Sequence, residues 1–157
     1  MAIIRTFSFV VPPERAEEMQ LENVLFSKER PLTELPAMLA GSDVCVSSVA
    51  PDAYLEKIIS VKVFEYLACE RPTIAAQKGE TAMILKESGG GLSVPPGDGV
   101  ALADAISSLY SDPDLRAAMS RHGKQYVEHN YSRQRIAERF ESIVVDAAMV
   151  TRPARAA

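Results

Sequence analysis

Short apolar runs alternate along this chain with longer stretches whose apolar residues recur at helical spacing. Residues 2–10 (Ala-Ile-Ile-Arg-Thr-Phe-Ser-Phe-Val) are β-branched and aromatic enough to read as a strand. Pro12 and Pro13 then open an acidic helical turn, where proline and carboxylates suit a helix start. Asn23-Val-Leu-Phe26 reads as a short strand, and Leu32 to Ala40 as a small amphipathic helix stopped by Gly41. Asp43-Val-Cys-Val46, Pro72 to Ala76 and Gly91 to Val94 are brief apolar runs of the kind buried within a sheet. Between them the spacing predicts helices at 58–69 and 79–88, and three more at 99–110, 113–129 and 133–149. Asp98, Asp112 (ahead of Pro113) and Ser132 are the expected N-caps of those last three. Residues 1–150 therefore read as one domain, and 151–157 as a flexible polar tail.

Strands and helices in this alternation imply an α/β fold, a parallel sheet with helices on both faces followed by C-terminal helices. In such a sheet a ligand sits beyond the carboxyl ends of the strands. Ser47-Ser48, Gln77 to Gly79 and Pro95 to Asp98 fall at that edge.

Composition narrows the function classes. A length of 157 residues suffices for one well-buried core, and 47 % apolar with 24 % charged residues is ordinary for a globular domain. A net charge of −4 argues against nucleic-acid binding and against a polybasic membrane anchor. No apolar run reaches the roughly 20 residues of a transmembrane helix, and no signal-peptide core is present. The two cysteines, Cys45 and Cys69, give neither a disulfide framework nor a zinc pattern, so free thiols in a reducing cytoplasm are expected. His122 and His129 lie seven apart on one helix without carboxylate or thiol partners at ligand spacing, and read as surface residues. Walker, Gly-x-Ser-x-Gly and zinc signatures are missing, and no Gly-x-Gly-x-x-Gly follows a strand, which disfavours a dinucleotide-dependent oxidoreductase.

The chemistry concentrates in Ser60-Val-Lys-Val-Phe-Glu65-Tyr-Leu-Ala-Cys-Glu70-Arg-Pro-Thr-Ile-Ala75-Ala, with Gly79-Glu80 after it. Lys62 and Glu65 share a helical face bordered by Tyr66 and Cys69, while Phe64, Leu67 and Ala68 are expected to turn toward the sheet. On residue types alone the pair could be a solvated i,i+3 ion pair. The Glu-Tyr-Leu-Ala…Pro-x-Ile-Ala frame resembles the donor site of GT-B-fold glycosyltransferases, in particular the retaining family 4. Pro95-Pro-Gly-Asp98 and Tyr131-Ser-Arg-Gln-Arg135 resemble that family's last active-edge loop and its entry to the C-terminal helix.

That resemblance implies a Rossmann-like half of a GT-B fold that binds a nucleotide-diphosphate sugar, UDP- or GDP-linked, with no cofactor and no metal. Glu65 would hold the ribose hydroxyls, since a carboxylate accepts a diol in a charge-assisted bidentate arrangement. Lys62 would neutralise the diphosphate as a point charge. Gly79 and Glu80, at a helix start with free N–H groups, would touch sugar or phosphate, with Ser60 alongside. The base would be read by backbone and shape near Phe26 to Arg30.

The sequence also departs from the pattern. The family often has a first glutamate separated from the Glu65 position by seven residues; here Lys57 stands there, with Glu56 one residue off. The likeness covers residues 7–146 and starts one strand into the family's domain, with Val11 and Pro12 near positions where glycines are usual. The opening strand, its glycine loop and its basic pair have no counterpart in this sequence, nor has the acceptor-binding domain. Because the opening strand is central, strands 2–10 and 43–48 are expected to pair directly, unless another chain fills the gap. Two functions follow: a donor-binding half that transfers sugar with retention only alongside an acceptor-binding half, possible as a partner chain, or a non-catalytic remnant or interaction module keeping the fold.

Overall fold

The computed structural model describes residues 4–6, 13–26, 28, 30–52, 54 and 58–150. Strands β1 (Ile4–Thr6), β2 (Val44–Ser48), β3 (Thr73–Ala76) and β4 (Gly91–Val94) form one parallel sheet in the order β1-β2-β3-β4. Helix α1 (Pro13–Glu18) follows the first strand, and a 3₁₀ turn (Leu32–Glu34) runs into α2 (Leu35–Ala40) ahead of the second. Helices α3 (Val61–Ala68) and α4 (Glu80–Ser88) link β2 to β3 and β3 to β4. Helices α5 (Gly99–Ser111), α6 (Pro113–Tyr131) and α7 (Arg133–Val150) complete the chain's described part.

Alternation along the strands sorts the core into two faces. Val44, Val46, Ile74, Ala76 and Val94 pack against Ala105 and Leu109 of α5 and Met119 of α6. On the opposite face Ala75 meets Val63 and Leu67 of α3, Ile84 and Leu85 of α4 and Val127 of α6. Cys45 joins Leu39 of α2 and Tyr66 of α3 on that side. Helix α6 thus serves both faces. It passes so close to the start of β4 that a Cβ on Gly123 would stand 2.6 Å from the Leu67 side chain and 3.2 Å from Gly90 Cα.

The caps fall where the sequence puts them. Asp98 accepts from the Ala101 N–H at 2.9 Å, Asp112 from Leu115 at 2.8 Å and Ser132 from Arg135 at 3.4 Å. The expected closing of the sheet is also observed: β1 pairs directly with β2, Ile4 opposite Val44 and Thr6 opposite Val46. Of the strand read over 2–10, only Ile4–Thr6 is seen as strand, and residues 7–12 lie outside the described residues.

Asn23–Phe26 is a correction. These residues form a turn and an irregular segment, with Leu25 93 % exposed. Strand propensity is a preference for a half-buried pleated surface, and among the described residues no neighbouring strand supplies one. The helix expected over 58–69 starts only at Val61, because Ser60 is extended (φ −75°, ψ 108°).

Candidate functional site

The carboxyl ends of β2, β3 and β4 deliver Ser48, Ala76 and Val94 to one edge. Two helices begin there, and a network of short polar side chains ties their starts together. Ser60 occupies the N-cap position of α3, yet its hydroxyl caps no helical N–H. Its Oγ lies 3.2 Å from Ser47 Oγ, and its N–H donates to Thr81 Oγ1 at 3.2 Å. Thr81 belongs to the first turn of α4 and is fully buried. The buried Gln77 donates from Nε2 to the Ile58 carbonyl at 2.7 Å, fixing the loop that enters α3. Ser93 Oγ donates to the Gln77 carbonyl at 2.7 Å, so the β4 end joins the same network.

This arrangement brings the first turns of α3 and α4 side by side with no side chain capping either. The N-cap of α4 is Gly79, at φ 68° and ψ −141°. That is a conformation left to glycine, and it lays the backbone open beside the first N–H groups. Two adjoining helix starts with no side-chain cap suit an anion. Glu80 is exposed in the first turn of α4.

Lys62 and Glu65 project from α3 beside this edge, both partly exposed. The ion pairs among the described residues are Arg15–Glu18, Arg30–Glu34, Lys124–Glu70 and Arg135–Glu138; Lys62–Glu65 is not one of them. The bland reading of these two as a mutual helical ion pair is therefore not what the side chains do. The sheet-facing side of α3 also differs from expectation: Val63, Tyr66 and Leu67 are buried, Phe64 is half-buried and Ala68 exposed. Phe64 packs against Tyr131 instead, the ring centroids 4.7 Å apart and the planes tilted by 52°. Tyr66 points inward because an eight-residue helix laid across two strands buries a face centred between positions 63 and 67.

Electrostatics around the site follow from burial. Desolvation first, then Cys45 and Glu65, push the Tyr66 phenol well above its ordinary range, so it is a packing residue here. Burial likewise raises the Cys69 thiol despite the nearby Arg71, the opposite of an activated thiolate. His122 and His129 are both exposed. Glu56 and Lys57 lie outside the described residues. A shallow groove lined by Ala16, Leu21, Val24 and Phe26 lies beside α1 and contains none of Ser60, Lys62, Glu65, Gly79 or Glu80.

The residues named from sequence thus fall into two neighbouring sets. Ser60, Gly79 and the start of α4 are brought together by hydrogen bonds, and Lys62 and Glu65 stand on the adjoining helical face. Ser47 and Gln77 were legible as edge residues, but their clamp with Thr81 was not; the partners lie 13, 19 and 21 positions apart.

Comparison with known proteins places this architecture. Residues 9–112 match the family model described as glycosyl transferases group 1. A D-inositol 3-phosphate glycosyltransferase of Corynebacterium urealyticum is 32 % identical over 114 residues, covering 72 % of this chain and 26 % of that protein. Sucrose-phosphate synthase of Thermosynechococcus elongatus superposes with a TM-score of 0.74 at 24 % identity, over 88 % of this chain and 34 % of that one. Anabaena HepE, solved with UDP, superposes with a TM-score of 0.68 at 23 % identity, over 82 % and 35 %. The chain spans about a quarter to a third of the length of these relatives. With two-thirds of its residues inside the family model and a Rossmann-like sheet shared with GT-B enzymes, the chain belongs to the glycosyl transferases group 1 family.

Proposed function

We propose that this domain binds the nucleotide-diphosphate sugar of a retaining, family-4-like glycosyltransferase. In this reading Glu65 accepts the ribose diol and Lys62 neutralises the diphosphate. The uncapped starts of α3 and α4 receive phosphate oxygens, and Gly79 and Glu80 adjoin the sugar. Ser60 positions both helix starts rather than touching the reacting atoms. The observation that carries this reading is the pairing of those two helix starts through Ser60 and Thr81, beside a glutamate and a lysine that do not pair with each other. A UDP complex of the structurally similar HepE supports the ligand class.

Transfer itself needs an acceptor-binding half, from another domain or another chain, to form the second wall of the cleft. Catalysis then rests on positioning and on stabilising the leaving diphosphate, with retention at the anomeric carbon. A second reading, a domain that keeps the fold without turnover, is favoured by one observation. β1 and β2 pair directly, leaving no place between them for the strand whose loop holds the diphosphate in the resembled family.

Calorimetric titration with UDP and GDP separates the two. Binding to one of them that weakens roughly ten- to a hundredfold in Glu65→Ala is expected, the size of a lost charge-assisted hydrogen-bond pair. Lys62→Ala should weaken binding too, and should flatten its dependence on salt. A well-folded chain that binds neither nucleotide would leave the non-catalytic reading in possession.

A further inference from the structure

The two loops at the carboxyl edge of the sheet grip each other through buried side chains. Gln77 and Thr81 are the feet of an arch, with Lys78, Gly79 and Glu80 exposed between them. Both feet are buried, at 1 % and 0 % exposure. From that depth each reaches the backbone of the segment that enters α3. Gln77 Nε2 donates to the Ile58 carbonyl at 2.7 Å, and Thr81 Oγ1 accepts from the Ser60 N–H at 3.2 Å. Each loop is also tied to the sheet. Ser93 Oγ of β4 donates to the Gln77 carbonyl at 2.7 Å, and Ser47 Oγ of β2 lies 3.2 Å from Ser60 Oγ. An apolar pair of like volume could fill the same space, but would not fix the register between the two segments.

We propose that Gln77 and Thr81 are positioning residues for nucleotide binding, holding the 78–80 arch and the start of α3 at the one spacing a diphosphate needs to meet both helix starts. This rests on the donor reading above and adds to it the side chains that pre-organise the edge. Because both are buried, they act on the ligand through the backbone they hold. The left-handed Gly79 (φ 68°) lets the arch turn between its feet without a Cβ in the way. A ligand that meets two loops already locked together is spared the cost of ordering them. With either foot released, the edge binds only in the fraction of molecules that are assembled, and the apparent Kd rises by that fraction.

Calorimetric titration of the whole chain with UDP and GDP tests this on four variants. Thr81→Val keeps the shape and removes the acceptor, and should weaken binding roughly tenfold, the scale of one hydrogen bond. Thr81→Ser keeps the hydroxyl and should stay within about threefold of wild type. Gln77→Leu should also lose roughly tenfold. The double variant Gln77→Leu, Thr81→Val should lose less than the product, since either foot alone frees the same arch. Amide exchange at Ser60 reads the clamp without ligand, and should quicken in Thr81→Val but not in Thr81→Ser. Circular dichroism and urea melts establish that each variant is folded; a change that only lowers stability then leaves Kd where it was. A wild type that binds one nucleotide, with a Thr81→Val that binds it equally well, overturns the positioning role and leaves the donor reading standing. So does a Thr81→Ser that loses as much as Thr81→Val. Ser60 exchange indifferent to Thr81→Val overturns the clamp itself. A folded wild type that binds neither nucleotide overturns both readings together.

Discussion

Glu70 occupies a backbone position at odds with its side chain. It turns the chain from α3 into β3 at φ 57°, in the left-handed region, where a residue with a Cβ pays about 1 kcal/mol. What holds it there includes a 2.8 Å hydrogen bond and ion pair with Lys124 of α6. That contact pulls the Glu70 carboxyl below its usual range and raises the Lys124 ammonium above its own. A lowered carboxylate stabilises the fold above its unfolded pKa, and the gain disappears as pH falls through the folded one. A raised ammonium stabilises below its unfolded pKa and loses its share as pH climbs through the folded one. The pair therefore contributes between the carboxylate and ammonium ranges and fades on both sides. Glu70→Gly relieves the backbone and deletes the pair, so it should exceed wild type by about 1 kcal/mol in acid, where the pair is already lost. The margin should shrink toward neutral pH. Urea melts at acid and neutral pH check this; a margin that does not change with pH would mean that the ion pair contributes nothing.

The caps at Asp98, Asp112 and Ser132 were readable from sequence because donor and acceptor stand three residues apart. The Ser47–Ser60–Thr81 link was not. Nothing local marks a serine as bridging two helix starts rather than capping its own. The same limit applied to Tyr66: its inward turn depends on where α3 rests across β2 and β3, which periodicity within eight residues does not fix.

Among the elements, the order of strands and helices was legible because each is an uninterrupted run bounded by proline, glycine or a cap. Asn23–Phe26 failed that test in three dimensions: its apolar letters match a strand, but no sheet edge among the described residues accepts it. The direct pairing of β1 with β2 was reached from the cost of leaving two inner strands with open backbone groups. It implies slow amide exchange across Val44–Val46, and equal exchange there and in the loop Val49–Asp52 would contradict the pairing. The crossing of α6 over β4 is a second element-level constraint. Gly123→Ala drives a methyl into Leu67 and the Gly90 backbone and should cost about 1–3 kcal/mol, read as a lower urea midpoint at constant slope. An alanine tolerated without loss would mean that α6 can lift off the sheet freely.

The strand edge proposed to bind the donor and the C-terminal helix are separate parts of one molecule, and the sequence speaks to them unequally. A motif of about twenty residues carries the resemblance to a family, whereas the amphipathic pattern of α7 announces a helix without saying what covers it. The proposed donor site can be tested through stability. If nucleotide binds at the edge of β2 and β3, it stabilises only the folded state, by about 2.7 kcal/mol at a hundredfold excess over Kd. For a chain of this length that is a rise in Tm of roughly 5–10 °C. Glu65→Ala should abolish most of the rise. A rise that survives Glu65→Ala would move the nucleotide elsewhere on the surface, the groove beside α1 being the next place to look.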